Sequence, residues 1–227
     1  MIHLDGGERS FTYWRGESAA RNLADSIERL EKSLLNADLI YFSGITAAIV
    51  GEIGRLNLFR ALEAAKSRGQ TIVFDPNLRP RLWPSITEMV DQITKFAELA
   101  DIVLPSFEDE AAYFYDTTPA ENIKRYVNCD ANIVVFKNST NEIVAVHGES
   151  RTQMQPKKIA LPIDTTAAGD SFNAGFLAMW IYGASLSDSI AFGASVSAKV
   201  VSGRGALVQL PSDLTSKLKN APEKSQR

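Results

Sequence analysis

The sequence predicts an α/β fold built on a mostly parallel sheet covered by helices. Three observations carry this prediction. Short apolar runs without strict alternation, such as Leu39-Ile40-Tyr41-Phe42 and Ile133-Val134-Val135-Phe136, take turns along the chain with longer helical patterns. Polar clusters fall just after those runs: Asp75-Pro76-Asn77, Ser106, Lys137 and the stretch 164–170. Parallel sheets gather ligands there, outside the carboxyl ends of their strands. Finally, a strand over 142–146 follows its predecessor too closely for a helical crossover, which predicts an antiparallel pair near the C-terminal half.

Taken in order, Asp5-Gly6-Gly7 reads as a tight turn, and residues 10–14 alternate as a strand with Phe11 and Tyr13 on one face. Residues 18–35 have helical composition, with Leu23, Ile27, Leu30 and Leu34 on one side. The apolar run 37–44 ends in Ser-Gly. A helix over 55–67 is expected to bury Leu58, Phe59, Leu62 and Ala65, with Gly69 as its stop. A buried strand over 70–74 leads into Asp75-Pro76-Asn77, and a helix over 85–99 turns Ile86, Met89, Val90, Ile93 and Phe96 inward. Then come a strand (101–105), helices (107–114 and 119–127), a strand (133–136), the antiparallel strand (142–146) and a last strand (151–155). Two long helices, 169–182 and 187–201, follow, and the polar, lysine-rich tail from Pro211 is expected to fray.

The bulk properties set limits. A length of 227 residues suits one large domain, and 45% apolar with 22% charged residues is ordinary globular composition. A net charge of −3 gives no support to nucleic-acid or anionic-membrane binding. No apolar run reaches spanning length, and the first residues read as a strand rather than a signal peptide. The lone Cys129 cannot form an internal disulfide, which suits a reducing cytoplasm. Asn138-Ser139-Thr140 fits a glycosylation sequon and, without a secretion signal, reads as chance. His3 and His147 are far apart with no partners at metal-ligand spacing, which argues against histidine or zinc chemistry. No G-x-G-x-x-G follows an early strand, so a dinucleotide-dependent oxidoreductase is set aside.

The stretch that organises the rest is Asp164-Thr165-Thr166-Ala167-Ala168-Gly169-Asp170-Ser171-Phe172. Small residues just ahead of a helix let the backbone approach a ligand, and the free N–H groups of a first turn make an anion site. Alone, Asp170 would be a first-turn acid with no further task. Inside an anion site, it makes sense as a base that takes a proton from a hydroxyl attacking phosphorus.

The nonapeptide resembles the D-T-x-G-A-G-D-x-F signature of the ribokinase-like (PfkB-type) sugar kinases, with Ala167 where most members have glycine. Its form D-T-T-A-A-G-D-S-F is similar to the 2-keto-3-deoxygluconate kinases of that family. The resemblance implies a three-layer α/β/α ribokinase-like fold with part of a β-lid. It implies ATP-dependent phosphorylation of a sugar acid, 2-keto-3-deoxy-D-gluconate to its 6-phosphate. Asp170 would be the base, with the amides of Ala167, Ala168, Gly169 and Asp170 forming the anion hole. The cofactors implied are ATP and Mg2+, with a monovalent cation such as K+ as a further candidate.

Five other segments extend the resemblance. Asp75-Pro76-Asn77-Leu78-Arg79, by itself a proline-initiated turn with a surface arginine, resembles the D-P-N-x-R element of these kinases. That implies Asn77, Leu78 and Arg79 at the nucleotide, Asn77 near the phosphates and Arg79 also on the substrate acid group. Tyr13-Trp14-Arg15 is similar to the Y-x-R of their lid, which implies a sugar-acid contact; two arginine forks suit a carboxylate better than a neutral pentose. Ser106-Phe107-Glu108-Asp109 stands where the family has N-x-x-E, implying Ser106 at the nucleotide and Asp109 on magnesium through water; a helix cap with first-turn acids reads equally well. Lys137-Asn138-Ser139-Thr140-Asn141-Glu142 matches the K-x-G-x-x-G nucleotide turn, with Ser139 and Glu142 in place of both glycines. The small-residue run 191–206 resembles the helix and Gly-Ala turn beside the adenine, and close helix packing would also explain it.

The resemblance runs over 10–211 and divides the chain into a partial lid strand (1–16), a kinase core (17–212) and a polar tail (213–227). The family opens with a further strand and a Gly-Gly-x-x-x-Asn segment that this sequence does not show, Gly6-Gly7 being out of place. Residues 39–43 are therefore expected near an open sheet edge, and the chain as written is expected to be poorly active and prone to associate. The full-length family form implies a homo-oligomer through the lid, in the cytoplasm, with no nucleic-acid or membrane partner. Two alternatives stay open: an impaired kinase remnant acting as a binding protein, and a kinase for another sugar such as fructose.

Overall fold

A computed structural model of the chain describes residues 2–5, 8–11, 18–139 and 141–219. The chain divides into two compact units, Met1–Leu99 and Ala100–Arg227.

In the first unit, β1 (Ile2–Asp5) and β2 (Glu8–Phe11) form an antiparallel pair whose register runs from Ile2↔Phe11 to Asp5↔Glu8. The expected turn at Gly6-Gly7 and the strand residues beyond Phe11 lie outside the described residues. The helix expected over 18–35 is instead two pieces. A 3-10 turn, Ala19–Asn22, gives way to α1 (Ile27–Leu34), which restarts where the Ser26 hydroxyl accepts from the Arg29 N–H. That cap satisfies an orphan first-turn donor, so a fresh helix start at Ser26 competes with continuation. The break takes Leu23 off the buried side and leaves it 51% exposed, while Leu30 is buried.

β3 (Leu39–Ser43) and β4 (Thr71–Asp75) pair in parallel, joined by α2 (Gly44–Ile49) and α3 (Gly51–Ser67). The sequence pattern missed α2 and started α3 four residues late, because the stretch 44–54 is nearly all apolar with three glycines and so lacks a polar face to mark a helical period. Gly69 ends α3 in a left-handed conformation (φ 84°), as expected. Then α4 (Ile86–Leu99) buries Met89, Ile93 and Phe96, whereas Ile86, expected inward, is 44% exposed at its first residue. Phe42 stacks on Phe74 with ring centroids 4.8 Å apart, and Phe96 meets Phe42 edge-on at 5.4 Å. This aromatic cluster is the centre of the unit's core. Among the described residues β3 pairs on one side only, with β4.

In the second unit, β5 (Ile102–Val103) and β6 (Ile133–Asn138) pair in parallel across the crossover α5 (Phe107–Phe114) and α6 (Pro119–Val127). A full capping box at Thr118 and Glu121, with Pro119 at the first helical position, fixes where α6 begins. β7 (Glu142–His147) pairs antiparallel with β6, as expected, and β8 (Ser150–Met154) with β7. The long helices α7 (Ala168–Ile181) and α8 (Leu186–Val201) pack tightly. A Cβ at Gly175 would lie 2.9 Å from the Gly193 Cα, so the two backbones nearly touch. Of the stretch after Pro211, expected to fray, residues 212–219 are helical: α9 (Ser212–Lys219) packs Leu214 against Phe192 and Val196. Leu218 of the same helix packs against that cluster too, and this apolar contact outweighed the polar composition around it.

Candidate active site

The second unit carries the organising stretch at the start of α7. Ala167 is the N-cap and lies in the left-handed region (φ 59°, ψ 22°), with no side-chain cap. Left-handed backbone costs a residue with a Cβ roughly 1–2 kcal/mol. Glycine in the family pattern would avoid that cost. The first intrahelical bond is Ser171 N–H to Ala167 C=O at 2.8 Å, and Ala168 N–H turns back to Thr165 C=O at 3.2 Å. The Gly169 and Asp170 amides precede that first bond and point with the positive end of the helix. A Cβ built at Gly169 would meet nothing within 4 Å, so the chain itself does not demand a glycine there. Room for an approaching ligand would. Asp170 is exposed in the same turn.

Asp164 braces this loop from behind. One carboxylate oxygen accepts from the Thr166 N–H at 2.9 Å and the other from the Gly205 N–H at 3.0 Å, tying the approach to α7 to the turn after α8. The Ala168 carbonyl accepts two hydroxyl hydrogen bonds, from Ser171 at 3.0 Å and from Ser197 of α8 at 2.8 Å.

Lys137, at the end of β6, donates through Nζ to Asn173 Oδ1 at 2.8 Å, one turn beyond Asp170 on α7. Its backbone N–H donates to Pro105 C=O at 3.0 Å, and a parallel bridge joins Ser106 to Lys137. The structure therefore brings Ser106, Lys137 and α7 together. The glycine-less turn closes as a hairpin: Asn138 pairs with Glu142, Asn141 N–H donates to Asn138 C=O at 2.9 Å, and Ser139 takes the left-handed place at φ 48°. Glu142 is strand residue and accepts from Gln153 at 2.9 Å. Thr140 lies outside the described residues. Ser106 is the N-cap of α5 without a side-chain cap bond, so its hydroxyl is not spent on the helix. Asp109 is half-buried in the first turn of α5.

Behind that turn sits a buried network that the sequence reading passed over. Glu110, fully buried, accepts through one oxygen from Tyr126 at 2.6 Å, Arg125 at 2.8 Å and Asn122 at 3.2 Å. Burial pushes its carboxyl above the ordinary range, against the pull of Arg125 and these three hydrogen bonds. Asp116 shares the same Arg125 and Asn122, at 2.6 and 3.0 Å.

In the first unit, Asp75 is buried at the end of β4 and accepts from the Tyr41 hydroxyl at 3.2 Å. The loop that follows is pressed against α2: a Cβ at Gly44 would lie 2.0 Å from the Pro76 carbonyl oxygen, so only glycine fits there. Asn77 is left-handed (φ 37°), and its Oδ1 is buried without a hydrogen-bond partner. Leu78 is buried, and half-buried Arg79 folds one guanidinium nitrogen onto the Leu78 carbonyl at 2.6 Å. Arg55 holds the segment after Arg79: its guanidinium lies 5.2 Å from the Trp83 ring centre and pairs with Glu88. Tyr13, Trp14 and Arg15 lie outside the described residues.

Three of the five non-glycine residues with positive φ among the described residues are ones the sequence singled out: Asn77, Ser139 and Ala167. Such strain collects where a backbone serves a ligand rather than its own stability. Sequence reasoning missed Asn173 and Ser197. A buried asparagine one turn after Asp170 was a usable signal; a serine in a run rich in small residues was not. Among the described residues no group of three or more His, Cys, Asp or Glu is placed to hold a metal ion, and no helix is long and apolar enough to cross a membrane.

Comparison with known proteins gives the family and the fold. Residues 1–213 match the pfkB family of carbohydrate kinases. A 2-dehydro-3-deoxygluconokinase of Haemophilus influenzae is 34% identical over 220 residues, covering 92% of this chain and 68% of that protein. A fructokinase of Vibrio alginolyticus is 30% identical over 214 residues, covering 91% and 67%. A crystal structure of a PfkB protein from a Polaromonas species superposes with a TM-score of 0.77 at 27% identity, over 89% of this chain and 66% of that one. The chain thus spans about two thirds of the length of these proteins, and the ribokinase-like α/β fold read from the sequence is theirs. On its sequence and its fold alike, the chain belongs to the pfkB family of carbohydrate kinases.

Proposed function

We propose that the chain carries the catalytic half-site of an ATP-dependent sugar-acid kinase acting on 2-keto-3-deoxy-D-gluconate to give its 6-phosphate. The observation that carries this is the start of α7, where no side chain caps the first turn, open space surrounds the Cβ position of exposed Gly169, and the Asp170 carboxylate is exposed in the same turn. Asp170 accepts the proton of the attacking sugar hydroxyl, and the carboxylate is close in sequence to the amides that receive the developing phosphoryl charge. The bond from hydroxyl oxygen to the γ-phosphorus forms as the bond to the β-phosphate oxygen breaks, giving ADP.

The uncapped amides fit a nucleotide phosphate, and Lys137, anchored on Asn173, is a cation for the same end of the sheet. Ser106 and residues 138–142 complete the nucleotide side of the proposal. Magnesium bound with the nucleotide would supply charge neutralisation, and Asp109, an oxygen donor in the α5 first turn, is the residue to hold it through water. Arg79 and Arg15 recognise the sugar acid group, together with Tyr13 and Trp14. Asn77, with its strained backbone and unpartnered Oδ1, is poised for a ligand group near the phosphates.

The deoxygluconokinase relative supports the sugar-acid substrate, and the fructokinase relative makes fructose the competing acceptor. ADP release measured with Mg-ATP against 2-keto-3-deoxygluconate, fructose and ribose decides between them. The proposal expects the sugar acid to give the highest kcat/KM, with Arg79→Lys lowering it because lysine lacks the planar two-point fork. Equal efficiency on fructose would overturn the sugar-acid assignment.

A further inference from the structure

We propose that Ser197 is a positioning residue for the anion hole, acting through the Ala168–Gly169 peptide. The inference rests on the reading of α7 given above, and it concerns a residue on a different helix. The Ser197 hydroxyl, from the middle of α8, donates to the Ala168 carbonyl oxygen at 2.8 Å, and the Ser171 hydroxyl donates to the same oxygen at 3.0 Å. That carbonyl belongs to the peptide unit whose N–H is that of Gly169, one of the two amides left uncapped at the helix start. Two hydroxyl donors on the oxygen draw electron density along the peptide, so its N–H becomes a stronger donor. They also fix the plane of that peptide before any ligand arrives.

A donor preorganised in this way costs no reorientation when charge develops on the phosphoryl group. The close approach of α7 and α8 at Gly175 and Gly193 is what lets a side chain as short as serine reach the carbonyl. The Asp164 bonds to Thr166 and Gly205 hold the loop ahead of the helix, so Ser197 supplies the brace on the helical side. Ser171 lies within the first turn itself and can follow it if the turn shifts. Ser197 is anchored on α8 and cannot.

The test compares Ser197→Ala and Ser197→Thr with the unaltered chain by two readouts. The Gly169 amide resonance is followed by NMR without ligand, and steady-state ADP release is measured with Mg-ATP and 2-keto-3-deoxygluconate. Ser197→Ala should move the Gly169 amide proton upfield and lower kcat about three- to tenfold, the loss of one modest hydrogen bond in the transition state. KM for both substrates should stay within about twofold. Ser197→Thr, which keeps the hydroxyl, should restore the resonance and the rate. An unmoved Gly169 amide in Ser197→Ala, or a rise in KM with kcat unchanged, would overturn the proposal. Absence of sugar-acid turnover in the unaltered chain would count against the kinase reading alone, and the amide comparison would still decide the role of Ser197.

Discussion

Asp164 and Gly205, forty-one residues apart in the chain, are joined by a hydrogen bond from the Gly205 N–H to a carboxylate oxygen at 3.0 Å. The other oxygen of the same carboxylate caps Thr166, so one side chain sets both the loop entering α7 and the turn leaving α8. Charge-assisted bonds of this kind contribute about 1.5–3 kcal/mol each. Asp164→Ala should therefore lower stability by about 2–4 kcal/mol in urea unfolding, and Asp164→Asn, which keeps one acceptor, by roughly half as much. Equal and negligible losses would show that the brace is idle.

Ala167 pays for its left-handed backbone, and glycine would not. Ala167→Gly is expected to raise stability by up to about 1 kcal/mol, the relief of strain being partly offset by the entropy of a freer unfolded chain. Ala167→Val, whose branched Cβ fits that region worse, should lose about 1–3 kcal/mol. Thermal unfolding of the two variants checks this, and a Val variant as stable as Gly would contradict the assigned φ.

Glu110 makes a prediction about pH. Its folded-state carboxyl is raised above the ordinary value of 4.5, chiefly by burial. The folded state then holds a proton that the unfolded state has released. The stability this contributes is full below 4.5 and is lost as pH rises through the raised value. Glu110→Gln removes the group while keeping its shape. Unfolding free energies measured from pH 4 to 8 should fall more, or rise less, with pH in the unaltered chain than in Glu110→Gln. Parallel curves would contradict it.

Arg55 is a buried cation with its charge matched by Glu88, which is only partly buried. Removing Glu88 strands the more buried partner, so Glu88→Gln is expected to cost about 1–3 kcal/mol in urea unfolding. It should also loosen the segment around Trp83, seen as faster amide exchange there. Protection at Trp83 equal to the unaltered chain would contradict the link.

How much of this was legible in the sequence follows from which forces leave a trace in it. Buried strands and amphipathic helices carry periodicity, so β4, α5, α6 and the antiparallel β6–β7 pair stood where expected. The break at Ser26 was decided by a single hydroxyl, and α2 by a Ser43 cap and close backbone contact, neither of which is periodic. The helix over Ser212–Lys219 depends on Leu214 finding a partner far away in the chain. At the site, the local motif at 164–172 was readable because its residues are consecutive. The Gly205 bond to Asp164, the Asn173 anchor of Lys137 and the Ser197 brace join residues distant in sequence, and only folding reveals such pairs.

The most direct test of the central claim is the turnover of Asp170→Asn. ADP release with Mg-ATP and 2-keto-3-deoxygluconate is measured for the variant and the unaltered chain, with circular dichroism to verify the same fold. Loss of the base should lower kcat about a hundredfold to ten-thousandfold while ATP still binds. Sugar-dependent turnover in Asp170→Asn equal to that of the unaltered chain would contradict the assignment of Asp170 and, with it, the reading of the α7 start as the catalytic site.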